Sequence, residues 1–80
     1  MNRPDALRLL EETLEMPPHS LTGGEALREL QNWDSMSALA FIAMVDERLG
    51  RPLPGGLVAR CRSVDDLLGL LGVAGAERAA

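Results

Sequence analysis

Asp34-Ser35 opens the most apolar stretch of this chain, and a hydroxyl placed there is its leading candidate for chemistry. From Met36 to Val45 only Ser37 is polar. At roughly 100° per residue a helix over this stretch divides into two apolar faces. Phe41, Val45, Leu49, Ala38 and Ile42 gather on one side, which suits a core. Met36, Leu39, Ala40 and Ala43, joined by Glu47, gather on another, next to Ser35. That second face would be left as an exposed apolar strip beside a serine, and such strips mark binding sites. Two plainer readings compete: a helix buried on all sides, and Asp34-Ser35 as nothing more than a helix cap.

Other reactive side chains are few. Cys61 and His19 are each the only residue of their type, so an internal disulfide is excluded and zinc ligation is disfavoured. A nucleophile–base pair would have to join Ser35 or Cys61 to His19, which sits in a turn-rich segment far from both in sequence. His19-Ser20-Leu21 is a second hydroxyl site to weigh, but it follows Pro17-Pro18 and precedes Thr22-Gly23-Gly24, where no helix begins. Cys61 in a short helix reads as a packed thiol. No catalytic residue and no metal ligand is assigned.

The elements that must hold Ser35 in place are helical. The apolar content, 46% of 80 residues, is Leu, Ala, Val, Ile and Met with one Trp, one Phe and no Tyr, and no stretch alternates as a strand would. A first helix is predicted over 4–16: Pro4 and Asp5 suit a first turn, Leu7, Leu10 and Leu14 form a stripe, and Arg8, Glu11, Glu12 and Glu15 cover the other side. Pro17-Pro18 would stop it. The connection to Asp34 holds a helical turn or two within 25–30, with Leu21, Leu27 and Leu30 pinning it to the core. The second helix spans 35–49, capped by Asp34 and stopped by Gly50. A short helix follows over 57–61, then a last one over 64–71, with Ser63 as its cap and Asp65 and Asp66 in its first turn. Residues 72–80 read as a frayed tail. The whole is one all-α domain over 1–80, three main helices plus one short one.

Net charge is −4 and every basic residue is Arg. An acidic domain without a basic helix face makes nucleic acid and anionic lipid poor partners and basic protein surfaces better ones. No apolar run reaches the roughly 18 residues of a membrane helix, so a cytoplasmic monomer is expected.

With this architecture in view, Trp33-Asp34-Ser35-Met36 resembles the signature of the acyl carrier protein family, an Asp-Ser-Leu core at the start of the second helix. Ala43-Met-Val-Asp-Glu-Arg-Leu-Gly50 resembles the acidic end of that helix, and Cys61-Arg-Ser-Val-Asp-Asp-Leu-Leu68 the loop leading into the last one. The likeness runs in order from Leu7 to Leu71. It implies a carrier rather than an enzyme. Ser35 would receive 4′-phosphopantetheine from coenzyme A through a phosphopantetheinyl transferase, with Asp34 orienting that enzyme and its Mg²⁺. Acyl groups would travel as thioesters, loaded by a ligase or acyltransferase and used by a ketosynthase or another acyl-processing enzyme. Trp33, Met36, Leu39, Ala40, Ala43 and Glu47 would meet these partners. A phosphodiester on Ser35 would lie near unpaired N–H groups at the positive end of the helix.

The chain departs from the pattern at Asn32, where the family has Gly, at Trp33, where it has a smaller residue, and at Met36, where it has Leu. Asn tolerates the left-handed backbone a Gly would supply there. Ser37 and Ala40 stand where carriers of general fatty-acid synthesis have acids, which points to a dedicated carrier in polyketide, specialised fatty-acid or other secondary-metabolite synthesis. The alternative from another class is an unmodified helical interaction domain using the Met36/Leu39/Ala43 strip.

Overall fold

In a computed structural model that describes residues 2–73, the chain forms helices α1 (Arg3–Thr13), α2 (Ser35–Leu49), α3 (Gly55–Ala59) and α4 (Val64–Leu70), with a 3₁₀ turn at Leu27–Glu29. The all-helical expectation holds across the described residues. α2 packs on α3 and α1, and α1 also packs on α4.

α1 begins where Asn2 accepts the Asp5 N–H at 2.9 Å, with Pro4 in the first turn. Its buried face is Ala6, Leu9, Leu10 and Leu14, while Leu7 is only half-buried. Glu11, expected on the outer side, is instead buried. Its Oε2 accepts the Leu21 N–H at 3.0 Å, so this carboxylate ties the following connection to α1.

α1 also ends earlier than the two prolines require. Glu15 takes a left-handed backbone at φ 59, its N–H donates to Glu12 O at 3.1 Å, and the Met16 N–H donates to Glu11 O at 2.8 Å. This pair of bonds is the Schellman closure, with glutamate in the position glycine normally fills. α4 ends the same way with the usual residue: Gly72 at φ 81 donates to Gly69 O, and Val73 to Leu68 O. Val73 is buried, so the expected fraying does not begin at Gly72, and 74–80 lie outside the described residues.

The long connection is pinned at both ends. Leu21 and Leu27 are buried and Leu30 packs against the core. Leu27 N–H donates to Arg62 O at 2.8 Å, Val64 N–H to Glu25 O at 3.0 Å and Asp65 N–H to Gly23 O at 2.8 Å, which fasten the loop to the head of α4. The Glu25 carboxylate folds the turn below it by accepting from the Thr22 and Gly23 N–H groups and the Thr22 hydroxyl.

α3 lies two residues earlier than the expected 57–61. Gly55 and Gly56 fall in its first turn after Pro54, where helical N–H groups need no intrahelical partner, and Val58 rather than Leu57 is the buried anchor. α4 starts as expected, with a reciprocal cap between Ser63 and Asp66. It stops at Leu70, with Leu71 as the cap.

Candidate functional site

α2 is bounded as its sequence requires, Asp34 capping one end and Gly50 (φ 64) closing the other. Asp34 Oδ1 accepts the Ser37 N–H at 2.9 Å and the Ser37 hydroxyl at 3.1 Å. Those bonds from Ser37, main chain first, hold the Asp34 carboxyl below its ordinary range. Ser35, one residue on, is exposed, and among the described residues nothing hydrogen-bonds its hydroxyl. The helix therefore presents a free primary alcohol beside a fixed carboxylate.

Two residues that hold this corner have roles the sequence reading missed. The Ser37 hydroxyl shares its one proton between Asp34 Oδ1 and Asn32 O, and Asn32 Nδ2 donates to Leu14 O at 2.9 Å. The chain Leu14–Asn32–Ser37–Asp34 thus ties the end of α1 to the start of α2. Asn32 does not use the left-handed backbone expected of it. It keeps its place through its side-chain amide. The readable signal was the spacing Asp34-x-x-Ser37, a cap and its third helical residue, with Ser37 the one polar residue between Met36 and Val45.

Beyond Ser35 the two faces of α2 separate. Phe41, Met44 and Val45 are buried, and Ala38, Ile42 and Leu49 pack against the core from its edge. Met36 is 75% exposed and Leu39 62%, with Ala40, Ala43 and Glu47 exposed in line with them. A helix buried on all sides is excluded. Trp33 differs from the rest of the expected partner surface, because its ring is half-buried against the core.

Open clefts flank this corner. One of about 560 Å³ lies between the end of α1 and the head of α2, with Glu15, Asp34, Met36 and Ala40 among its walls. Another, of about 490 Å³, is walled by Ala26, Leu27, Arg28, Trp33, Cys61 and Arg62.

The remaining reactive groups do not assemble. His19 lies in an exposed turn at φ 65, Ser20 donates its hydroxyl to Pro17 O, and no helix starts there. The Cys61 thiol contacts Leu57 O at 3.5 Å. Burial and then the nearby Asp66 charge push it up to about 11, so it is a neutral thiol at ordinary pH. Among the described residues, no cluster of three or more His, Cys, Asp or Glu could hold a metal ion, and no helix is long and apolar enough to cross a membrane.

Comparison with known proteins gives one strong result. The family model described as a phosphopantetheine attachment site matches residues 5–71. No curated protein and no solved structure matches the chain. The match begins in the first turn of α1, ends at the cap of α4, and encloses the free hydroxyl at the head of α2. The group it implies fits what stands there, an accessible alcohol in a helical first turn whose neighbours Asp34 and Met36 wall an open cleft. By that match over most of its length, the chain belongs to the phosphopantetheine attachment-site family, carrier domains whose prosthetic group is 4′-phosphopantetheine.

Proposed function

We propose that the chain is an acyl carrier protein whose Ser35 hydroxyl bears the phosphopantetheine arm. The observation that carries this is the pairing at the head of α2: a solvent-exposed serine with no internal hydrogen bond, next to an aspartate fixed by Ser37. Ser35 supplies the nucleophilic oxygen for transfer from coenzyme A. Asp34, held charged, orients the transferase and its Mg²⁺. The domain itself catalyses nothing. Acyl groups ride as thioesters on the arm, loaded by a ligase or acyltransferase and consumed by a ketosynthase or other acyl-processing enzyme.

These partners read the strip of Met36, Leu39, Ala40 and Ala43, with Asp46 and Glu47 at its far end, and Trp33 borders it. Because Ser37 and Ala40 carry no charge, the strip is less acidic than the face of a general fatty-acid carrier. This supports a dedicated role in polyketide, specialised fatty-acid or other secondary-metabolite synthesis, as a cytoplasmic monomer.

The test is intact mass after incubation with coenzyme A, Mg²⁺ and a promiscuous phosphopantetheinyl transferase. The chain should gain one phosphopantetheine, and Ser35→Ala, still folded, should gain none. No gain by the folded parent would leave an unmodified interaction domain using the same strip. Transfer should also slow as salt rises, because Asp34, Asp46 and Glu47 meet basic patches on the enzyme. A rate independent of salt would remove the charges from recognition.

A further inference from the structure

We propose that the cleft beside Trp33 receives the cargo of the arm, and that Arg28 and Arg62 in its wall select an acyl group ending in a carboxylate. The inference rests on Ser35 being the attachment site. Charge carries it. In a chain of net charge −4, the clefts sort by the ionic side chains in their walls. The one along α1 mixes Asp5 and Glu12 with Arg8 and Arg48. The one between α1 and α2 holds Glu15 and Asp34 and no cation. The one beside Trp33 holds two arginines and no acid.

Two of the other arginines are engaged elsewhere, while Arg8 and Arg48 share their cleft with acids. Arg3 pairs with Asp65 at 2.8 Å and donates to Thr22 O, and Arg51 donates to Leu70 O. Among the described residues, neither the Arg28 nor the Arg62 guanidinium has an ion pair or a hydrogen bond, and both residues are exposed. The Leu27 N–H to Arg62 O bond brings these two residues, distant in sequence, to the same cleft. A single guanidinium is already a bidentate match for a carboxylate, and two unpaired ones line this cleft.

The rest of the cleft suits an acyl chain. Ala26, Leu27, Trp33 and Cys61 give an apolar wall, and about 490 Å³ lies within the range of small-molecule sites. Trp33 precedes Ser35 by two residues, so their Cα atoms are at most about 7 Å apart. An arm rooted on Ser35 is longer than that distance and can fold back into the cleft.

The chain's single Trp stands in the cleft wall and reports on its occupancy. Four forms should be compared: apo, holo, succinyl-loaded, and loaded with 4-methylpentanoyl, the apolar isostere of succinyl. The expected result is a Trp33 emission shift in the succinyl form alone, with its thioester cleaved by hydroxylamine severalfold more slowly than the isostere's. In Arg28→Gln/Arg62→Gln, which should still accept the arm, both differences should disappear. Equal behaviour of the two cargoes, or a succinyl effect that survives the double variant, would overturn the selection. A full shift already present in the holo form would assign the arginines to the arm's own phosphate instead. If the parent takes up no arm at all, the carrier reading fails and this inference falls with it.

Discussion

Single side chains in this domain do their work by fixing charge at bends in the backbone. Glu25 is the clearest case outside the head of α2. Partial burial disfavours its charge, but hydrogen bonds from the Thr22 and Gly23 N–H groups and the Thr22 hydroxyl outweigh that cost and hold its carboxyl below the ordinary glutamate range. A carboxyl lowered by folding stabilises the native state above its unfolded pKa, and that stability is lost as pH falls through the folded value. Glu25→Gln should therefore cost about 1–2 kcal/mol at pH 7, in the range of charge-assisted bonds. Thermal melts of the two proteins should converge as pH falls through the folded carboxyl's lowered range. A gap that stays constant down to pH 3 would mean that the amide loses packing rather than charge. The same scale explains what the sequence left hidden. The Asp34 cap and Ser35 are legible from residue type and position, whereas the Asn32 amide on Leu14 O is a contact across 18 residues that no local pattern encodes.

Among the elements, α2 was the most legible because every level agrees: a capping aspartate, unbroken helix formers and a glycine whose backbone is left-handed. α1 was read too long because Pro17-Pro18 is a visible stop, while the real one is made of main-chain hydrogen bonds around Glu15. α3 was placed late because its two glycines look like breakers, yet in a first turn they cost little. The end of α1 makes a direct test of this account. A residue with a Cβ in the left-handed region costs about 1–2 kcal/mol that glycine does not pay, offset in part by the freer unfolded chain. Glu15→Gly should raise stability by about 0.5–1 kcal/mol in urea titrations, with the slope of the transition unchanged. A loss of stability would show that the Glu15 side chain holds the corner and that the Schellman closure is incidental. Glu15 also lines the acidic cleft, so the substitution should leave the fold of the Ser35 corner intact while lightening its charge.

At the scale of the molecule, the connection between α1 and α2 is what makes a binding corner out of a small bundle. It carries Arg28, Asn32, Trp33 and Asp34, and it is anchored far from them, at Gly23. There the backbone sits at φ 117 beneath the ion pair joining Arg3 at the start of α1 to Asp65 at the start of α4. A Cβ at Gly23 would run into Arg3 Nη2 and come within 2.5 Å of Asp65 Oδ1, and that backbone region is one that side chains rarely occupy. Gly23→Ala should thus cost about 2–3 kcal/mol, a large share of the about 4–12 kcal/mol expected for 80 residues. The two sources of that cost separate in a cycle with Arg3→Ala. Removing the guanidinium relieves the collision but not the backbone strain, so the double variant should be more stable than the sum of the singles by at least about 0.5 kcal/mol. Strict additivity would leave backbone strain as the whole effect. Either way the loss should reach the site: with the loop unpinned, Trp33 leaves its half-buried seat, and its emission should shift to the red before the helices melt. A Trp33 signal that changes only with global unfolding would mean that Leu21 and Leu27 hold the corner without the Gly23 anchor.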